Sequence, residues 1–144
     1  MWRASTLWEP ATRRRGKSGD LRWPCPRWTH EISADRIYRG INTNDWQDLL
    51  KTGLIRTDKK LTLGASFALT AATALSYVQV GPDNPQRTGH PIYVLEVKRG
   101  SRMHRVRAGY DYVIADQPVP VSEILRVYRF DPDGRVLQSH TLGL

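Results

Sequence analysis

Helix-forming patterns in this chain are confined to residues 43–81, and nearly everything after them alternates with the period of a strand. The stretch from Arg36 to Tyr77 therefore organises the rest. Ser33 to Gly40 reads as a short strand, with Ile37 and Arg39 alternating with Arg36 and Tyr38, and Gly40 ending it. A helix is expected from Asn44 to about Thr52. Thr43 or Asn44 is its N-cap, Asp45 lies in its first turn and Gln47 stands at a capping-box position. Trp46, Leu49 and Leu50 form its apolar stripe, and Gly53 supplies the left-handed residue that stops it. Leu54 to Leu63 reads as a loop and Ala65 to Leu69 as a second strand. Thr70 then caps a second helix whose buried stripe is Ala71, Ala74, Leu75 and Val78. Small residues on that stripe allow the helix to lie close to a sheet, and Gly81-Pro82 ends it.

Beyond this point turns separate β-forming runs. Asp83 to His90 is a polar loop, and Pro91 to Val97 is the clearest strand. Ser101 to Arg107 is basic and fits neither period. Tyr110 to Ala115 and Glu123 to Asp131 read as strands, with a turn at Asp116 to Pro120 between them. Asp131-Pro132-Asp133-Gly134 is a strong turn signal, after which Arg135 to Leu142 returns as an edge strand. Strand, helix, strand, helix and then strands alone is an α+β order.

With 144 residues the chain is one domain by length, able to bury a core without staples. Cys25, its one cysteine, excludes an internal disulfide and any cysteine-based metal site. His30, His90, His104 and His140 lack metal-ligand spacing, so no metal is expected. No run reaches membrane-span length and no secretory signal is recognisable, so a cytoplasmic protein without a membrane partner is expected. Residues 1–30 carry seven basic side chains against Glu9 and Asp20, five of the eight net positive charges. Trp2, Trp8, Trp23 and Trp28 stand there among Pro, Gly and Ser without periodicity. This basic arm, residues 1–30, reads either as a disordered, solvated tail or as a contact for nucleic acid or a nucleic-acid-associated protein. Residues 31–144 form the domain.

Within that domain, three short motifs stand on separate strands: Tyr38-Arg39-Gly40, Gly64-Ala65-Ser66-Phe67-Ala68, and Asp111-Tyr112-Val113-Ile114. Tyr77 follows Ser66 by eleven residues on the second helix. Together they resemble the ADP-ribosyltransferase fold over about Arg36 to Asp131, in its arginine–serine–glutamate branch but with Asp in place of Glu. The resemblance implies a split, mixed β-sheet with two short helices in the N-terminal half and a cleft for NAD. It implies that NAD is consumed, not recycled, and that ADP-ribose passes to a protein or nucleic-acid acceptor as nicotinamide leaves. In that family, Arg39 and Gly40 would meet the dinucleotide, Ser66 and Phe67 would line its cleft, and Tyr77 would cover the nicotinamide ring. Toxin-like members of such a family imply an antitoxin-like partner.

Chemistry gives each residue a task. A carboxylate at Asp111 would stabilise the oxocarbenium-like ribose and hold its 2′-hydroxyl. Arg39 offers a fixed fork for pyrophosphate or ribose oxygens. Gly40 lets backbone approach a ligand closely, and Ser66 would hydrogen-bond across the cleft. The register of the third motif is open: Asp111 and Tyr112 face opposite sides of a strand, so only one of them points into the cleft. Asp is also one methylene shorter than Glu, and Ala74 stands where related polymerases place a serine that holds the nicotinamide amide. Two other readings stay open. One is a non-catalytic module binding NAD or nucleic acid. The other is a relative of RNA 2′-phosphotransferases, which have His where Arg39 stands. Glu96, in mid-strand, is expected to pair with an arginine.

Overall fold

The computed structural model describes residues 3–4, 9–10, 14–15, 21–22, 27–30, 32, 35–55, 65–79, 82–100, 103–105, 112–115, 118–139 and 142–143. Its frame is one sheet of eight strands: β1 (Glu9–Pro10), β2 (Arg36–Ile41), β3 (Ala65–Ala68), β4 (Ile92–Lys98), β5 (Met103–Arg105), β6 (Tyr112–Ala115), β7 (Ile124–Phe130) and β8 (Val136–Ser139). Their order across the sheet is β1-β8-β7-β4-β2-β3-β6-β5. Three helices accompany it, α1 (Thr43–Thr52), α2 (Ala71–Gln79) and the single turn α3 (Pro85–Thr88). The α+β class holds.

Every described pairing in this sheet is antiparallel, where a mixed sheet is expected. The reason lies in the α2 crossover. It joins β3 to β4, which run the same way, but β2 lies between them, so no parallel pair forms.

Strand alternation sorts the core into two layers. Ile37 and Ile41 of β2 join Tyr93, Leu95 and Val97 of β4, Val127, and Trp46 and Leu49 of α1 on one face. Tyr38, Val94, Tyr128 and Phe130 meet Ala71, Ala74, Leu75 and Val78 of α2 on the other. Because both faces are covered, all six positions from Ile92 to Val97 are buried. Trp46 anchors α1 by stacking on Tyr93, with centroids 4.4 Å apart and planes 13° from parallel.

Helix ends follow local chemistry. The cap of α1 is Asn42, one or two residues before the expected position. Its side chain accepts a hydrogen bond from the Asp45 amide at 2.8 Å, and Thr43 is freed to donate to the Pro91 carbonyl oxygen at 2.6 Å. Gly53 ends the helix at φ 73°, as expected. Thr70 Oγ1 accepts from the Thr73 amide at 3.2 Å and so caps α2. Asn84 caps α3, which replaces part of an expected loop.

Further along, Leu54–Ile55 pairs with Val119–Pro120, drawing the start of one expected loop against a turn. The Asp131–Gly134 turn closes as expected, with Gly134 at φ 85° and its amide donating to the Asp131 carbonyl oxygen at 3.0 Å. The strand after it, β8, is not the edge: Glu9–Pro10 pairs outside it. Arg3–Ala4 pairs with Leu142–Gly143, and the short helical turn Arg27–His30 packs against α2. At those points the first thirty residues are attached to the domain.

The join between β2 and β3 is thin. One residue pair, Tyr38 with Ala68, holds it. A flat sheet is impossible there. Lys98 is level with Arg36, whereas Met103, through Ala115 and Ala65, is level with Ile41. On a plane these two residues would lie about 17 Å apart along the strands and about 19 Å across them. Five Cα–Cα steps reach only about 19 Å in all. The sheet must therefore twist or bend between β4 and β5.

Candidate functional site

The two motifs that meet at the join are Tyr38-Arg39-Gly40 and Ala65-Ser66-Phe67-Ala68. Arg39 reaches across it, Nη1 donating to the Ser66 carbonyl oxygen at 2.7 Å. Its guanidinium carbon lies 5.8 Å from the centre of the Phe67 ring, within cation–π range. A side chain thus supplies the adhesion that the backbone ladder supplies elsewhere in the sheet. Phe67 is buried in the α1-side core, and alternation places Ser66 with Ala68 toward the α2 side.

Gly40 faces α2. A Cβ built on it would overlap Val78 Cγ2 and the Ala74 carbonyl oxygen. What approaches this glycine closely is the helix itself, so its side of β2 is already filled. Tyr77, on the same helix, is 68% exposed, whereas Ala74, Leu75 and Val78 beside it are buried. Its ring is not core, and it stands clear of the sheet.

The third motif lies on β6, which pairs with β3 on the side away from β2. Tyr112 is level with Ala68, and through it with Tyr38. Asp111 lies outside the described residues. Strands distant in sequence thus sit side by side in the order β2-β3-β6. The Arg39 guanidinium meets Phe67 and the Ser66 carbonyl oxygen, whereas the Ser66 side chain lies on the opposite face, and Tyr77 does not touch them through any contact described.

A second polar group lies on the α2 side of β2, β4 and β7. Glu96, 4% exposed, is level with Tyr38 and Arg126. Its Oε1 accepts from the Tyr38 hydroxyl at 3.3 Å and lies 3.5 Å from Arg36 Nη1, the expected arginine pairing. Arg126 Nη1 donates to the Tyr128 hydroxyl at 3.3 Å. Burial, and then the charge of Glu96, push the Tyr38 hydroxyl up to about 12. Burial also raises Tyr128, opposed by its bond from Arg126. Only the Glu96–arginine pair is legible in one dimension. The two tyrosines join it because the register sets them level.

At the start of α1 a polar cleft of about 270 Å³ is lined by Asn42, Thr43, Asn44, Gln47, Asp83, Thr88, His90 and Pro91. Sequence reasoning missed it because its walls come from the start of α1 and from the segment 83–91, far apart in the chain. Among the described residues no three His, Cys, Asp or Glu group as metal ligands, and no helix is long and apolar enough to cross a membrane. No protein-family model matches the chain, and no curated protein matches it.

Proposed function

We propose that the chain is an NAD-consuming mono-ADP-ribosyltransferase built on an ADP-ribosyltransferase-like sheet. One observation carries the reading: the strands bearing Arg39, Ser66 and Tyr112 are neighbours, with the Arg39 guanidinium fastened to the Ser66 carbonyl oxygen where β2 and β3 share one residue pair. A bound dinucleotide would lie along this short join. The guanidinium's five-donor fork suits pyrophosphate or ribose oxygens. Tyr77, exposed on α2, has a ring face to lay over nicotinamide. In the reaction the C1′–N bond to nicotinamide breaks and nicotinamide leaves with the bonding pair. A lone pair of the acceptor forms the new C1′ bond, and the acceptor's proton passes to solvent. Asp111 stabilises the cationic ribose between these events.

Nicotinamide release from NAD tests this. Wild type releases it. Asp111→Ala lowers the rate by 100-fold or more, on the scale of losing one electrostatic stabiliser. Arg39→Lys, which keeps the charge and loses the fork, lowers it about 10-fold or more. Release undiminished in Asp111→Ala overturns the assignment. The second reading is a non-catalytic module, which Tyr112 in place of Asp111 at the third position would give. NAD binding without any release decides for that module.

A further inference from the structure

Three cations stand around one buried acid on the α2 side of β2, β4 and β7. Glu96 is level with Arg126, and Lys98 with Arg36. By alternation Arg36, Glu96, Lys98 and Arg126 all lie on the face that carries Tyr38, Val94 and Tyr128. Arg36 and Lys98 are exposed, so this end of the face is open to solvent. Like charges directly opposed on neighbouring strands destabilise a sheet, and Arg36 faces Lys98 in this way. Glu96 answers Arg36, at 3.5 Å, and among the described residues no acid lies within ion-pair distance of Lys98 or Arg126. Arg126 donates from Nη1 to the Tyr128 hydroxyl at 3.3 Å, while its Nε is buried without a hydrogen-bond partner among the described residues. A buried donor left unmet is rare and calls for a reason. The end of β7 also clears space. In regular register Ile124 would be level with Lys98, but a bulge at Leu125 sets Ile124 opposite Val97 and turns it into the α1-side core. The place beside Lys98 on β7 is left without that side chain.

We propose that Arg36, Lys98 and Arg126 form a binding site for a dianionic phosphomonoester. Three cations less the Glu96 carboxylate leave two positive charges, and such a phosphate carries about −1.5 to −2 at neutral pH. A carboxylate or a phosphodiester, with one negative charge, would leave a cation unanswered. Forked guanidiniums match phosphate oxygens in pairs. Strand spacing puts the Cα atoms of Lys98 and Arg126 about 8 Å apart and those of Arg36 and Arg126 about 12 Å apart. Long side chains from both sides can therefore close on one group. Glu96, buried beneath them, holds Arg36 in place, and its charge keeps an anion at the solvent side. The bulge gives the room beside Lys98. None of this needs NAD, so the site stands whether or not the chain is a transferase.

Isothermal titration calorimetry of the full chain at low ionic strength tests the site, with methyl phosphate, dimethyl phosphate and acetate as probes. Wild type binds methyl phosphate, and the two monoanions bind at least about tenfold more weakly. Lys98→Ser removes a solvent-exposed cation and weakens methyl phosphate about tenfold. Arg126→Lys, which keeps the charge and loses the fork, weakens it about threefold or more. Lys51→Ser takes the same charge from α1, on the other face of the sheet, and changes affinity less than about twofold. The site is overturned if methyl phosphate does not bind wild type, if acetate or dimethyl phosphate binds as tightly, or if Lys51→Ser loses as much as Lys98→Ser. The titrations hold no NAD, so their outcome is separate from that of nicotinamide release.

Discussion

Tyr38 shows how much one residue depends on its neighbours across the sheet. Its hydroxyl is buried against Glu96, so ionising it would place a second negative charge beside a carboxylate already out of water. In the unfolded chain the same hydroxyl ionises near pH 10, and in the folded protein near 12. Between those values the unfolded state has released a proton that the folded state keeps, so stability falls as pH rises. Tyr93 and Tyr128, also raised by burial, push the same way. Each pH unit crossed costs about 1.4 kcal/mol per fully shifted group. Urea unfolding of wild type and Tyr38→Phe checks this. The wild-type advantage is full below pH 10 and shrinks by about 2–3 kcal/mol by pH 12. A constant difference across that range would remove the Glu96–Tyr38 bond from the account. The sequence offered Glu96 and an arginine, because a lone acid inside an apolar strand needs a cation. It did not offer Tyr38, whose place beside Glu96 comes from pairing 58 residues apart.

Among the elements, α2 is the one whose packing was most legible. Its stripe of Ala71, Ala74, Leu75 and Val78 is buried as the 3.6-residue period predicts. The other half of that contact was hidden: the small helix residues need a small sheet residue to meet, and Gly40 is that residue. Gly40 thus has a packing duty whether or not a dinucleotide binds beside it. Gly40→Ala forces its Cβ into the Ala74 carbonyl, which is backbone and cannot swing aside. The expected loss is about 1–3 kcal/mol or more, the usual range for overpacking. Gly100→Ala, whose Cβ meets open space, stays within about 0.5 kcal/mol of wild type. Thermal midpoints of the two variants, measured together, decide it. The cap of α1 was misplaced for a related reason. Asn42, Thr43 and Asn44 are all competent caps, and the choice falls to Asn42 because Thr43 is drawn to the Pro91 carbonyl of a distant loop.

At the scale of the molecule, the strands were mostly readable and their arrangement was not. Alternation marks a strand but says nothing of which strand lies beside it, so β1 outside β8 and the wholly antiparallel ladder could not be foreseen. The resemblance implies a split sheet, whereas the described strands form one sheet of eight in which β2 and β3 share a single residue pair. That single pair predicts unequal stability. The β4-β2-β7 part is joined by long ladders and buried on both faces, whereas β3 is laddered to it by the Tyr38–Ala68 pair alone, beside the Arg39 bond to Ser66 and the buried Phe67 ring. A segment held by few contacts opens at a lower free energy than the whole protein. Native-state hydrogen exchange should find the Leu95 and Val97 amides opening only with global unfolding, and the β3 and β6 amides exchanging at least about tenfold faster. If NAD lies across the join it binds the closed form alone, and by mass action a hundredfold excess over its dissociation constant narrows that difference by up to about 2.7 kcal/mol. Equal protection of β3 and β4 without ligand would mean that the two halves are bonded as one rigid sheet, and a dinucleotide at the join would then have no opening to suppress.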